Sequence, residues 1–137
     1  MPGFSSMGGV FKQQIDDKVI KDTSGMGNAY IERVIKVLHQ EKKSISPQQV
    51  TIVLKNCNFK DKQIYAAEKL APYVKCLTAD GMIDMIKAVS FNEPKLAIVT
   101  HMRFVLSPMT SYDQKVKIAE KMTFMSDRDI CKKLLGI

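Results

Sequence analysis

Three cysteines and two histidines are the side chains of this chain that could serve as soft nucleophiles or metal ligands. They are Cys57, Cys76 and Cys131, with His39 and His101. No two cysteines stand at the spacing of a metal clip, and neither histidine has a Cys or another His at ligand spacing. A Cys57–His101 pair is conceivable in space. Nucleophilic catalysis also asks for a third group that orients the base and for an oxyanion site, and the sequence nominates neither. His39 falls at a helix C-terminus, where a partly positive imidazole suits the dipole. Asp16-Asp17 reads as a solvated helix surface. Gly8-Gly9 and Gly25-Met26-Gly27 are loops with no strand before them, which argues against a nucleotide cradle, and no Gly-x-Gly-x-x-Gly, phosphate loop or EF-hand pattern occurs. The expectation is a non-enzyme with no catalytic residues, no cofactor and no metal.

The cations offer a different chemistry. The formal net charge is +7, and it is uneven. Residues 1–27 are neutral, with three Lys against three Asp. Residues 28–76 carry nine basic and four acidic groups, and residues 77–137 carry nine and seven. If Lys36, Lys42, Lys43, Lys55, Lys60 and Lys62 converge, they make an anion-attracting face for nucleic acid or an acidic membrane surface. One Arg in residues 28–76, Arg33, and few aromatics weigh against specific reading of bases. Apolar side chains offer a third chemistry. Phe59, Phe91 and Phe124 recur at intervals of 32 and 33 residues. They are read first as wedges between neighbouring helix pairs. Were they exposed, they would form a row of anchors for a peptide or another subunit. Phe4, Met7 and Phe11 lie in an apolar N-terminal arm that could dock on a neighbouring copy.

The length suits one domain, and such a chain can bury roughly two-thirds of its unfolded surface without disulfides or metal. Methionine is abundant and tryptophan absent; Met fills irregular helical cores or makes adaptable surfaces. An odd number of cysteines, no signal segment, no apolar run near the ~18 residues of a membrane span and no glycosylation sequon predict a cytoplasmic protein with reduced, buried thiols.

The elements that must position these groups read as helices. Residues 1–27 form an N-terminal arm with a short amphipathic helix from Val10 to about Lys21, and residues 28–137 form the main domain. Asn28 caps a helix to about Lys43 with Ile31, Val34, Ile35 and Leu38 as its apolar stripe. Ser46-Pro47 starts the next helix. With Phe59 set over Phe91, Val50 falls on Met82, Val53 on Met85, Leu54 on Ile86, Cys57 on Val89 and Ile64 on Leu96. Thr78 caps the first helix of that second copy, and Glu93-Pro94 opens its second. A weaker third copy starts at Ser111, with Phe124 in its turn; its register slips by one if Ile130 stands where Ile64 does. The β-branched run Val50–Val53 could be a strand by propensity, but its caps and the matching copy favour a helix. The fold class predicted is all-α: a compact bundle or short α-solenoid of about eight short helices, built from two to three helix-pair repeats.

The segments KNCNFKDKQIYAAEKLAPYV and KAVSFNEPKLAIVTHMRFVL resemble the family known as domain of unknown function 4476. A phenylalanine, an acidic residue and an apolar helix repeat there at about this interval. The matching positions are Phe59 with Asp61, Phe91 with Glu93 and, less cleanly, Phe124 with Asp127, over residues 46–137. The resemblance implies a helical repeat domain and carries no activity, cofactor or site.

The function expected is that of a protein-interaction or structural module, self-assembling through its arm. Its partner would be another protein or a second copy, and no small-molecule substrate is indicated. The alternative is an adaptor that binds an anionic partner through residues 28–76.

Overall fold

Ser46, Thr78 and Ser111 start three helix pairs in the same way. Each hydroxyl accepts a hydrogen bond from the backbone N–H three residues on, at Gln49, Gly81 and Gln114. At Ser46 and Ser111 the glutamine side chain also accepts the cap's own N–H, so two otherwise orphaned donors are met. The computed structural model describes residues 13–137. Its helices are α1 (Asp17–Lys21), α2 (Ala29–Gln40), α3 (Pro47–Asn56), α4 (Lys60–Leu70, continued by a 3₁₀ turn Ala71–Tyr73), α5 (Ala79–Lys87), α6 (Asn92–Met102), α7 (Tyr112–Ala119) and α8 (Met125–Leu134). Among the described residues there is no strand, and the all-α class read from the sequence is the observed one.

The helices stack in two rows. α1, α3, α5 and α7 pack successively in one, and α2, α4, α6 and α8 in the other, with the closest association between α4 and α6. Each pair thus buries its apolar face against the next, as in a short α-solenoid. Equivalent positions fill the core: Val53, Met85 and Ile118; Leu54, Ile86 and Ala119; Cys57, Val89 and Met122; Ala66, Ile98 and Cys131; Leu70, Met102 and Leu135. This corrects the predicted slip of register. Counted from its phenylalanine, the third copy keeps step, with Cys131 and Leu135 in the buried positions. Ile130 is exposed and is not the counterpart of Ile64.

Single parallel β-bridges close the pairs at one end. Ile45 meets Val74 and Leu77 meets Leu106, and each bridge sits 32 residues from its copy. Lys75 N–H donates to the Ile45 carbonyl at 3.3 Å and Ser107 N–H to the Leu77 carbonyl at 2.9 Å. A further bridge, Gln14 with Ser44, ties residues 13–44 to the same end. Those residues add the shorter pair α1–α2 to the two rows, and Ile15, Ile20, Ile31, Val34 and Leu38 join the common core.

Several local expectations need correction. Of the helix predicted from Val10 to Lys21, the described part is helical only over Asp17–Lys21. Gln14 is extended, because its neighbours bond to Ser44, and Asp16 is the N-cap. Phe59 caps α4 and Phe124 caps α8; Asp61 and Asp127 sit in the first turns, where their charge suits the dipole. The run Val50–Val53 is helical, as its caps and the matching copy led one to expect, and Thr51 Oγ1 donates to the Pro47 carbonyl at 3.0 Å.

Candidate protein-interaction surface

The second helix of each pair begins with an extended phenylalanine. Phe59, Phe91 and Phe124 have φ of −121°, −94° and −106°, and none makes a side-chain cap. A phenyl ring cannot accept a first-turn N–H as a serine does, so capping does not explain it there. Burial does not explain it either. The three residues are 62, 56 and 55 % exposed. The predicted wedges are therefore not wedges. The alternative reading, a row of exposed rings, describes the structure. Since α4, α6 and α8 pack side by side in one row, the repeat places the rings at the same end of the stack. The Phe59 and Phe91 turns are directly linked. Lys60 Nζ lies 3.2 Å from Glu93 Oε2 and 6.0 Å from the centre of the Phe91 ring.

The turn is held from below rather than by its ring. Four residues after each phenylalanine stands a long polar side chain that reaches back to the end of the preceding helix. Gln63 Nε2 donates to the Leu54 and Cys57 carbonyls at 3.4 and 3.1 Å. Lys95 Nζ donates to Ile86 and Val89 at 3.0 and 2.9 Å. Arg128 Nε donates to Met122 at 3.1 Å. The acceptors occupy equivalent positions. Leu54 and Ile86 each also accept a backbone N–H from three residues on, at 3.2 and 3.3 Å, so the long side chain completes the helix end and fixes the turn that presents the ring. Burial lowers the Lys95 pKa from the usual lysine value. The residue types Gln, Lys and Arg share no charge or shape, so a search for identical residues misses them; a long donor at the fourth position after Phe was the available signal.

Beside Phe59 the surface is concave. A depression of about 280 Å³ is lined by Met26, Tyr30, Cys57, Phe59 and Lys62, among others. Its floor is fixed: Tyr30 Oη donates to the Ile20 carbonyl at 2.6 Å and accepts from Asn56 Nδ2 at 3.1 Å. Met26, almost fully exposed, stands on its rim. The notch has room for a partner's apolar side chain. Phe4, Met7 and Phe11, the other residues singled out as anchors, lie outside the described residues.

The six lysines singled out for anion binding are spread over the stack. Lys62 lines the Phe59 notch, Lys55 a groove with Gln48, Ile52 and Asp84, and Lys36 a shallow depression with His39 and Tyr73. Lys60 is paired with Glu93 and Lys43 with Gln13, while Lys42 sits in a left-handed turn with φ 52°. No two of them line the same groove among those described. Cys57 and Cys131 are buried, and desolvation pushes each thiol up to about 11. Cys76 is exposed, contrary to the expectation of three buried thiols. Cys57 caps the C-terminus of α3 beside the Phe59 turn, whereas His101 lies in the last turn of α6. About nine residues of helix, roughly 14 Å at 1.5 Å per residue, separate His101 from the phenylalanine end, so the structure does not bring that pair together. No helix of the described residues is long and apolar enough to cross a membrane.

The family model described as a domain of unknown function (DUF4476) matches residues 41–135. The chain belongs to this family. The matched stretch runs from just before α3 to the end of α8, so it holds all three phenylalanine turns and all three polar ties of this DUF4476 chain. No curated protein and no solved structure matches the chain.

Proposed function

We propose that this DUF4476 chain is a non-enzymatic protein-interaction module and that the phenylalanine end of its stack is the contact surface. The observation that carries this reading is the exposure of three phenylalanines at one repeat position, each held on a turn that is pinned from beneath. Burying a Phe side chain is worth about 1.5–3 kcal/mol, so a partner that covers the three rings gains binding energy that folding leaves unused. Exposed aromatic anchors in a defined row are what a protein interface uses. The partner includes a second copy, whose arm with Phe4, Met7 and Phe11 offers matching apolar side chains. Three free thiols fit a reducing, cytoplasmic setting.

Light scattering after size exclusion across a concentration series tests the self-associating form. A mass rising above 15.4 kDa that persists in high salt is the expected result, and deletion of residues 1–11 should weaken it. A strict monomer at every concentration contradicts self-association, and an unchanged mass after the deletion removes the arm as connector.

A further inference from the structure

The third helix pair departs from the first two at particular positions. With Ser46, Thr78 and Ser111 set over one another, the residue before the cap is Ile45, then Leu77, then Thr110. The fourth residue after the cap is Val50, then Met82, then Lys115. The eighth residue after the phenylalanine is Ala67, then Val99, then Lys132. In the first two pairs all of these side chains are fully buried. Thr110, Lys115 and Lys132 are only half-buried. The positions of the third pair that face its own partner helix stay apolar and buried, at Ile118, Ala119, Cys131 and Leu135. The change from apolar to polar is therefore confined to one face.

That face is the one turned onward along the stack. A Cβ added at Gly81, on α5, would stand 3.1 Å from Pro47 Cβ, so the start of α3 faces α5. Ala79 holds the Pro47 position in α5, and Tyr112 holds it in α7. Pro47 and Ala79 are buried, whereas Tyr112 is 67 % exposed. Lys115 lies one turn further along α7, on the same side as Tyr112. Each polar residue is settled without a neighbouring pair. Ile45 and Leu77 each enter a β-bridge, whereas Thr110 Oγ1 donates back to the Ser107 carbonyl at 2.6 Å. Lys115 lines a cleft of about 380 Å³ with Leu106, Leu134 and Leu135, where a lysine stem covers apolar surface and leaves its charge in water. Among the described residues neither Lys115 nor Lys132 is in an ion pair. A second copy laid on this face would have to strip water from both ammonium groups, which is unfavourable without a counter-charge.

We infer that Thr110, Lys115 and Lys132 close the onward face of the third pair against a second copy of this chain. With the residue types of the first two pairs at these positions, the face would repeat the apolar surface that each pair offers to the next. Copies would then add head to tail, and contacts of that kind grow rings or filaments. The inference rests on the interaction reading in one respect: with this face closed, self-association is left to the phenylalanine end and gives complexes of finite size.

The test restores the earlier residue types in the full chain, as Thr110→Leu/Lys115→Met/Lys132→Val. Its solution mass is followed by light scattering over a concentration series, beside the parent and beside the same triple change made together with Phe59→Ser/Phe91→Ser/Phe124→Ser. The restored chain should at least double the parent's mass at the same concentration, keep growing without a plateau, and return to the smaller species on dilution. The growth should survive the phenylalanine changes. Lys132→Val alone, at a half-exposed position that folding tolerates, should move the mass in the same direction by less. A mass equal to the parent's at every concentration overturns the closure. So does growth that the phenylalanine changes abolish, which would place it at the other end, and so does irreversible growth with loss of helical signal, which is aggregation. Failure of the interaction reading looks different: parent and phenylalanine variant would share one mass while the restored chain still grows.

Discussion

Where Ile45 meets Val74 and Leu77 meets Leu106, the helix pairs are finished by backbone bonds and hydroxyl caps that repeat almost without change. Where Phe59, Phe91 and Phe124 turn the chain, the caps are bare rings, and the supporting donor is a glutamine, a lysine and an arginine in turn. The first end satisfies the backbone with the backbone, so its geometry is insensitive to sequence. The second satisfies it with whichever long side chain is present, and this frees the turn residue from structural duty. A side chain that is neither a cap nor core is available for binding, and all three copies use that freedom to show phenylalanine.

The comparison can be broken or sharpened by substitution. The largest expected effect lies in the core that both ends share. Leu54→Ala should cost about 2–5 kcal/mol by denaturant unfolding, because its site is fully buried and cannot collapse freely. Next comes the variable tie. Lys95→Met should cost about 1–3 kcal/mol, as two carbonyls lose their donor, and Lys95→Gln should recover part of it because Gln63 performs the same task one copy earlier. Ser46→Ala, at the invariant end, should cost about 1 kcal/mol. Phe91→Ala, at the other, should stay within about 0.5 kcal/mol, since an exposed ring adds little to folding. If Phe91→Ala proved as costly as Leu54→Ala, the ring would be structural and the contrast between the ends would fail.

The buried thiols give a pH-dependent version of the same test. The folded-state pKa values of Cys57 and Cys131 are raised from 9.0 to about 11 by desolvation. The stability this contributes is fully present below pH 9 and is lost as the pH climbs through about 11. Lys95 acts in the opposite sense, since burial depresses its pKa and its burial cost is relieved as the pH nears 10.5. A net fall in the denaturant midpoint between pH 9 and 11 is expected, smaller in Cys131→Ala than in the parent chain.

Much of the fold was legible because helix boundaries are written in local chemistry. Ser46, Thr78 and Ser111 signal their own caps, and the 32-residue offset showed which apolar residues share a position. What depended on neighbours was not legible. A phenylalanine at repeat spacing looks the same whether the next pair covers it or stops short, so its exposure had to be observed. Ile130 was matched to Ile64 because it is the nearest aliphatic residue, while a cysteine, Cys131, fills the buried position. Ile15 and Val19 are spaced for a helix, yet a bridge to Ser44 keeps the first of them extended. Both arrangements bury Ile15, so periodicity alone could not choose between them. The lysines are close in sequence, and helix stacking disperses them over separate grooves.

The most direct measurement is the solution mass of the parent chain beside that of Phe59→Ser/Phe91→Ser/Phe124→Ser, with unfolding followed on both. The account predicts that the triple variant unfolds within a narrow margin of the parent but loses the concentration-dependent rise above 15.4 kDa. Equal association by both chains, or collapse of the variant's fold, would contradict the claim that these rings serve a partner rather than the core.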